Sequence, residues 1–244
     1  MAYTNDKKLK IGEAAAFLGV TVQTLRNWEK SGKLAAQKSE GGHRYYFQKD
    51  LERFTVDLPS LGLAWASSAQ LPQIPQEYYC ERQDRFTSRL EKMALQLLHA
   101  GVVGRDMASL LTAVVGEIGD NSFMHNVGNW PDVHGIFFAY DIGKRMIVLA
   151  DRGQGVRATL SRVRPQIATD TEALRIAFTE IVSGRAPEKR GNGLKVVRRI
   201  VERGSITLLF RSGVARVLYP QKSSSLIVET ATDNIRGTYA VITF

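Results

Sequence analysis

The apolar run Arg145–Ala150 leads without a break into Asp151-Arg152-Gly153-Gln154-Gly155, and this junction constrains the fold more than any other stretch. A short run rich in Ile, Val and Leu that stops at a charge and two glycines is a strand feeding a sharp turn. Gly153 and Gly155 leave bare backbone beside the Asp151 carboxylate, so a ligand can come close to both. That carboxylate can accept a hydrogen bond from an exocyclic amine. Alone, the pattern also describes a plain strand-to-helix turn.

Two flanking stretches add chemistry. In AVVGEIGDNSFMHN, Glu117 and Asn121 are four apart and project from one helix face. The carboxylate can orient or deprotonate an attacking water or hydroxyl. The carboxamide oxygen can ligate Mg²⁺, which takes oxygen donors and keeps several waters. Further on, RGNGLKVVRRIVE places Gly191 and Gly193 directly before a helix beginning at Leu194. Free N–H groups and the helix dipole at such an end suit phosphate, and Arg185, Lys189 and Arg190 crowd the approach.

The rest of the chain reads as two parts. A long helix from Arg85 precedes strands His134–Tyr140 and Arg145–Ala150, joined by a turn at Asp141-Ile142-Gly143. Helical stretches at Thr171–Ser183 and Leu194–Arg203 follow, then strands Ser205–Phe210, Val214–Leu218 and Gly237–Phe244. Residues 57–84 carry Leu58-Pro59-Ser60, Ser67-Ser68 and Pro72-Gln73-Ile74-Pro75 and read as a linker, between a head at 1–56 and a body at 85–244. The class expected is α+β: a small helical head and a two-layer α/β sandwich.

In the head, Ile11, Ala14, Ala15 and Leu18 recur at helical spacing and Gly19 stops that helix; Thr21 caps the next, with Leu25 and Trp28 inward. Helix, sharp turn and second helix form a helix-turn-helix, whose second helix meets the major groove with its N-terminal residues. Those are Thr21, Gln23, Thr24 and Arg26. Arg26 suits guanine or phosphate, and Gln23 suits adenine edges or phosphate. Gly41-Gly42 turns a hairpin that presents Lys38, His43, Arg44 and Tyr45 toward a nucleic-acid backbone. Of the net charge of +9, the first 54 residues carry about +4.

Composition narrows the remaining options. With 44% hydrophobic and 23% charged residues the chain has ordinary globular usage. No apolar stretch is long enough to cross a membrane, the first ten residues are polar, and one cysteine fits a reducing cytoplasm. The P-loop signature is absent, GNGLKV misses the dinucleotide fingerprint, and no nucleophile elbow supports a Ser-His-Asp site.

IGEAAAFLGVTVQTLRNWEKSGKL, GGHRYY and DLERF together resemble the MerR and excisionase-type winged-helix family over most of the first 54 residues. The resemblance implies double-stranded DNA as partner, with the helix of Thr24 and Arg26 reading it and the Arg44 wing on phosphates. It also implies a homodimer, although no coiled-coil heptads follow the head. From about Leu90 to Phe244 the three motifs, in their order, resemble the GHKL ATPases, closest to histidine-kinase catalytic domains and anti-sigma-factor serine kinases. This implies a Bergerat-type ATP-binding fold with ATP and Mg²⁺ as cofactors. Glu117 is then the catalytic base, Asn121 the Mg²⁺ ligand and Asp151 the adenine contact. Gly153 and Gly155 shape the base pocket, while Arg190, Gly191, Gly193 and Leu194 form the phosphate side. The closing RGTYAVITF puts Thr238 near adenine, and Asp120 and His125 have at most a supporting role. His99 lacks the neighbours of a phosphoacceptor histidine. The combined expectation is a cytoplasmic regulator in which ATP binding or hydrolysis alters DNA or partner engagement. Its alternatives are a serine/threonine kinase acting on a small regulatory protein, or two interaction modules with a structural nucleotide.

Overall fold

The computed structural model describes residues 7–180, 193–220 and 226–244. The chain divides into two compact units, Met1–Asp57 and Leu58–Phe244.

In the first unit, strand β1 (Lys8–Lys10) runs into helices α1 (Ile11–Leu18) and α2 (Val22–Lys30). A hairpin of β2 (Gln37–Lys38) and β3 (Arg44–Phe47) leads to α3 (Gln48–Thr55). Gly19 ends α1 in the left-handed conformation (φ 64°), which costs glycine nothing, and the Thr21 hydroxyl then accepts the Thr24 N–H to start α2. Leu9, Ala14, Ala15, Leu25, Leu34, Tyr46 and Leu51 close a small core, with Trp28 packed at its edge against Phe54. β3 is the centre of a three-stranded sheet, paired with β1 and β2.

In the second unit, α4 (Leu58–Ser67), β4 (Tyr79–Cys80), α5 (Gln83–Ala100) and α6 (Arg105–Asn126) precede the hairpin β5 (Ile136–Asp141)–β6 (Met146–Asp151). Then come α7 (Gly155–Ser161), α8 (Asp170–Thr179), α9 (Gly193–Arg203), β7 (Thr207–Tyr219) and β8 (Ile227–Thr243). The sheet order is β4-β5-β6-β8-β7, and every pairing is antiparallel. The α+β class expected from sequence holds. Ile136, Phe138, Ile147, Leu149, Ala240 and Ile242 point from one sheet face into a core shared with Phe86, Met93, Leu111, Val115, Phe178 and Val197 of the helices.

Residues 57–84 are not a linker. Leu58–Ser67 is helical, and its Leu58, Trp65 and Ala66 are buried. A Cβ at Gly62 would lie 2.6 Å from Val148 Cγ1, with Tyr239 and Phe137 close by. These three side chains alternate with the core residues above, so α4 covers the opposite sheet face and adds a layer to the expected two. At Gly62 the helix lies close against the sheet, with no room for a side chain.

A charge cluster fastens the end of α4. The Arg152 guanidinium is fully buried and donates from Nη1 to the carbonyls of Trp65 (2.5 Å) and Ser68 (3.0 Å). Its Nε and Nη2 reach Asp132 Oδ2 at 2.8 and 2.6 Å, and Arg236 Nη1 meets the same oxygen at 2.7 Å. Burial would raise the Asp132 carboxyl, but the Arg152 bonds, the Val133 N–H and the charges of both arginines outweigh it and hold the carboxyl below the usual range. A helix C-terminus favours a cation, so Arg152 replaces water on carbonyls that the helix itself leaves unpaired.

Two further boundaries differ from the sequence reading. The expected strands Ser205–Phe210 and Val214–Leu218 leave a break at 211–213, yet β7 is continuous and absorbs Ser212 and Gly213 as a register shift against β8. Between β5 and β6 the left-handed residue is Arg145 (φ 52°), so β6 begins at Met146.

Trp65→Ala should cost about 3–5 kcal/mol in chemical denaturation, the range for emptying a large core site. A loss within about 0.5 kcal/mol, as for an ordinary surface position, would return this segment to linker status.

Candidate functional site

The exposed residues of α2 are Gln23, Arg26, Asn27 and Lys30, one stripe at helical spacing. Thr21 and Thr24 are differently engaged. Their hydroxyls lie 2.9 Å apart and the Thr24 N–H is donated to Thr21 Oγ1 at 3.0 Å, so both belong to the cap. In the hairpin, Lys38 and His43 are exposed, and the His43 N–H bonds Ser39 Oγ at 3.2 Å. Arg44 is half-buried and its Nε is paired with Glu29 Oε2 of α2 at 2.6 Å, which fixes the hairpin's base to the helix. Lys8 Nζ sits 4.9 Å above the Tyr45 ring.

In the second unit the carboxyl of Asp151, 1% exposed, ends β6. Ser122 Oγ donates to its Oδ2 at 2.7 Å, the Thr238 hydroxyl donates to the same oxygen, and the Gly153 N–H donates to Oδ1 at 2.8 Å. Burial pushes the carboxyl up while these donors and the Thr238 backbone N–H pull it down, and burial dominates.

Asp151 and Thr238 floor a cavity of about 100 Å³. Its walls are apolar at Ile118, Val156, Leu160, Phe210 and Leu194, with polar groups from Asn121, Ser122, His125 and Thr159. Glu180 and Gly193, the last and first described residues around 181–192, both line it. Drug-sized sites run to about 300–1,000 Å³, so this volume suits one ring system.

Glu117 is not in that wall, but it is close. A Cβ on Gly193 would lie 2.6 Å from Glu117 Oε2 and 3.0 Å from Asn121 Nδ2, so the start of α9 rests on these two side chains. Burial, with the neighbouring Asp120 charge, raises the Glu117 carboxyl above the ordinary glutamate range. Lys195, one turn into α9, donates to the Glu180 carbonyl, and burial lowers its ammonium.

Residues 10–46 match the family model for MerR family regulatory protein. Over 48 residues the chain is 44% identical to Nodulation protein NolA of Bradyrhizobium sp. (strain NC92), covering 19% of this chain and 20% of that one. The same protein of Bradyrhizobium elkanii is 44% identical over 48 residues, 22% of its length, and that of Bradyrhizobium diazoefficiens 46%, over 20%. The chain therefore spans about a fifth of the length of these curated relatives. The head thus carries the MerR-type helix-turn-helix expected from its sequence.

Of the expected pocket residues, Asn121, Asp151, Gly155, Gly193, Leu194 and Thr238 line one cavity, and Gly153 reaches it by its bond to Asp151. Arg190 and Gly191, with Arg185 and Lys189, lie outside the described residues. Among the described residues no helix is long and apolar enough to cross a membrane, and no group of three or more His, Cys, Asp or Glu could hold a metal ion.

Three supports escaped the sequence reading. Ser122 is half of the Asp151 clamp. Asn126, 4% exposed, donates to the Ser122 carbonyl (2.8 Å) and accepts the Gln154 N–H (2.9 Å), which locks the turn after β6 onto α6. Ser212 accepts the Val156 N–H at 2.9 Å and donates to the Gly237 carbonyl at 2.8 Å, tying α7 to the β7–β8 ribbon. Asn126 sits in the same helix motif as Asn121, and its spacing of four from Ser122 was the available signal.

A Cβ at Gly153 would fall 2.1 Å from the Asn126 amide nitrogen, an atom held by its own bonds. Gly153→Ala should therefore cost about 1–3 kcal/mol in denaturation, as overpacking does. A change under about 0.5 kcal/mol would mean that the Asn126 latch yields freely.

Proposed function

We propose that this protein is a DNA-binding transcription regulator whose second unit binds Mg-ATP and thereby changes how DNA or a partner protein is engaged. The MerR family match over residues 10–46, joined to an α2 face whose exposed side chains are all polar or basic, supports the first half. The observation that carries the second half is the buried Asp151, held by Ser122, Thr238 and Gly153 and lining a ring-sized cavity.

The residues fit the nucleotide. Asp151 accepts the exocyclic amine of adenine, with Thr238 beside it, and the apolar walls at Ile118, Val156 and Leu160 take the ring. Gly193 and Leu194, at the start of an eleven-residue helix, offer backbone N–H groups to phosphate, and Asn121 supplies an oxygen for Mg²⁺. Bound Mg²⁺ would neutralise phosphate charge. On DNA, the α2 stripe enters the major groove while Lys38, His43 and Arg44 approach phosphates.

Titration calorimetry with ATP, ADP and GTP tests the pocket. ATP should bind, GTP should bind at least tenfold more weakly, and Asp151→Asn should weaken ATP without shifting the DNA affinity of the nucleotide-free protein. Equal binding of ATP and GTP would remove the adenine contact. DNA affinity measured with and without Mg-ATP tests the coupling, and identical affinity and footprint in both would remove it.

A second reading, a serine/threonine kinase acting on a small regulatory protein, draws on Glu117 beside Asn121 and Gly193. A base must be ionised to work, so with its carboxyl raised, turnover should climb with pH through a limb above about 4.3, the free glutamate value. Glu117→Gln should bind ATP and lose that turnover. Absence of any hydrolysis or transfer by the unmodified protein leaves a binding switch.

A further inference from the structure

Four side chains form the exposed stripe of α2, and the two threonines of its first turn are not among them. Both hydroxyls are engaged in the cap, while the exposed side chains of the helix itself are Gln23, Arg26, Asn27 and Lys30.

Within that stripe, Gln23 Nε2 donates to Asn27 Oδ1 at 3.2 Å. The two residues are one helical turn apart, the spacing at which carboxamides meet. A glutamine carboxamide has two N–H donors and one oxygen, and its two ends are sterically alike. Left to itself it turns either end toward a base edge. The bond to Asn27 favours one of these: the nitrogen lies toward Asn27 Oδ1 and Oε1 lies away from it. One N–H is spent on Asn27. What remains is one N–H beside one acceptor oxygen, the pair that matches N7 and the N6 amine of adenine in the major groove. The Asn27 amide nitrogen keeps its own donors for an acceptor on an adjoining base.

We propose that Asn27 is a positioning residue that orients the Gln23 carboxamide and so makes Gln23 a reader of adenine. This rests on the DNA-binding reading of the head. Arg26 and Lys30, whose groups only donate, supply guanine or phosphate contacts along the same stripe.

The test uses the full chain. Selection from random duplexes first defines the preferred site. Each adenine in that site is then replaced singly by purine, which lacks the N6 amine, and by 7-deazaadenine, which lacks N7, and affinity is read by fluorescence anisotropy. The unmodified protein should have one adenine per half-site at which each replacement weakens binding about tenfold. Gln23→Ala should abolish that penalty. Asn27→Leu, a change at an exposed site that leaves the Gln23 side chain intact, should cut the penalty to twofold or less while other positions and the salt dependence stay as they were. Asn27→Asp keeps the acceptor and should retain most of the discrimination, with a uniform loss of affinity from its charge.

Unchanged discrimination in Asn27→Leu would overturn the proposal. So would a uniform loss across all positions, which would make Asn27 a backbone contact. A selected site with no adenine sensitive to both replacements would overturn it as well, while leaving DNA binding in place. Failure to select any duplex would remove the DNA-binding reading itself, and this inference with it.

Discussion

Consecutive residues of a strand point to opposite faces, and at the end of β6 that alternation separates two buried charges. Asp151 faces the helices and the cavity, and Arg152 faces α4. Neither charge neutralises the other, so each requires its own partners: Ser122, Thr238 and the Gly153 N–H for one, Asp132 and the last carbonyls of α4 for the other. Losing a partner from a buried charge typically costs about 3–5 kcal/mol. A single strand end thereby fixes α6, β8, α4 and the turn into α7 against one sheet. The position of the ligand cavity follows from this arrangement, because its floor is one of the two charges.

How much of this was legible in the sequence depends on whether the cause was local. The Gly19 stop and the Thr21 cap act within four residues, so the head's first two helices could be placed from the chain itself. Strands β5 and β6 and helix α9 announced themselves by apolar pattern, to within a residue or two at their ends. α4 did not. Pro59, Ser60, Gly62 and Ser67 have the composition of a linker, and a helical glycine costs about 1 kcal/mol. That cost is offset only by contact with Val148, Phe137 and Tyr239, residues far along the chain. Ser212-Gly213 misled for the same reason: a glycine with φ 59° belongs to a turn or to a bulge, and only the partner strand decides which.

The pocket shows the same division. Asp151, Asn121, Gly193 and Thr238 were legible because each stands in a motif of fixed spacing. Ser122 and Ser212 were not, since a serine in a helix or strand carries no local mark of its distant partner. Among the head's expected readers the correction runs the other way. Thr21 and Thr24 also satisfy a local rule, the N-cap, and that rule already engages their hydroxyls.

Under the proposed function, the position of Glu117 makes binding and chemistry separable. Asp151 and Thr238 are fixed by the sheet and by α6. Glu117 meets the site through Gly193, the first described residue after 181–192, so its relation to a phosphate depends on how α9 begins. If the cavity holds a nucleotide base as proposed, a floor built on strands and a carboxylate set against a helix start need not be in working register at the same time. Regulation of α9's first turn would then change turnover while leaving recognition of the base intact, and a protein that needs only to sense nucleotide could keep the first part and dispense with the second.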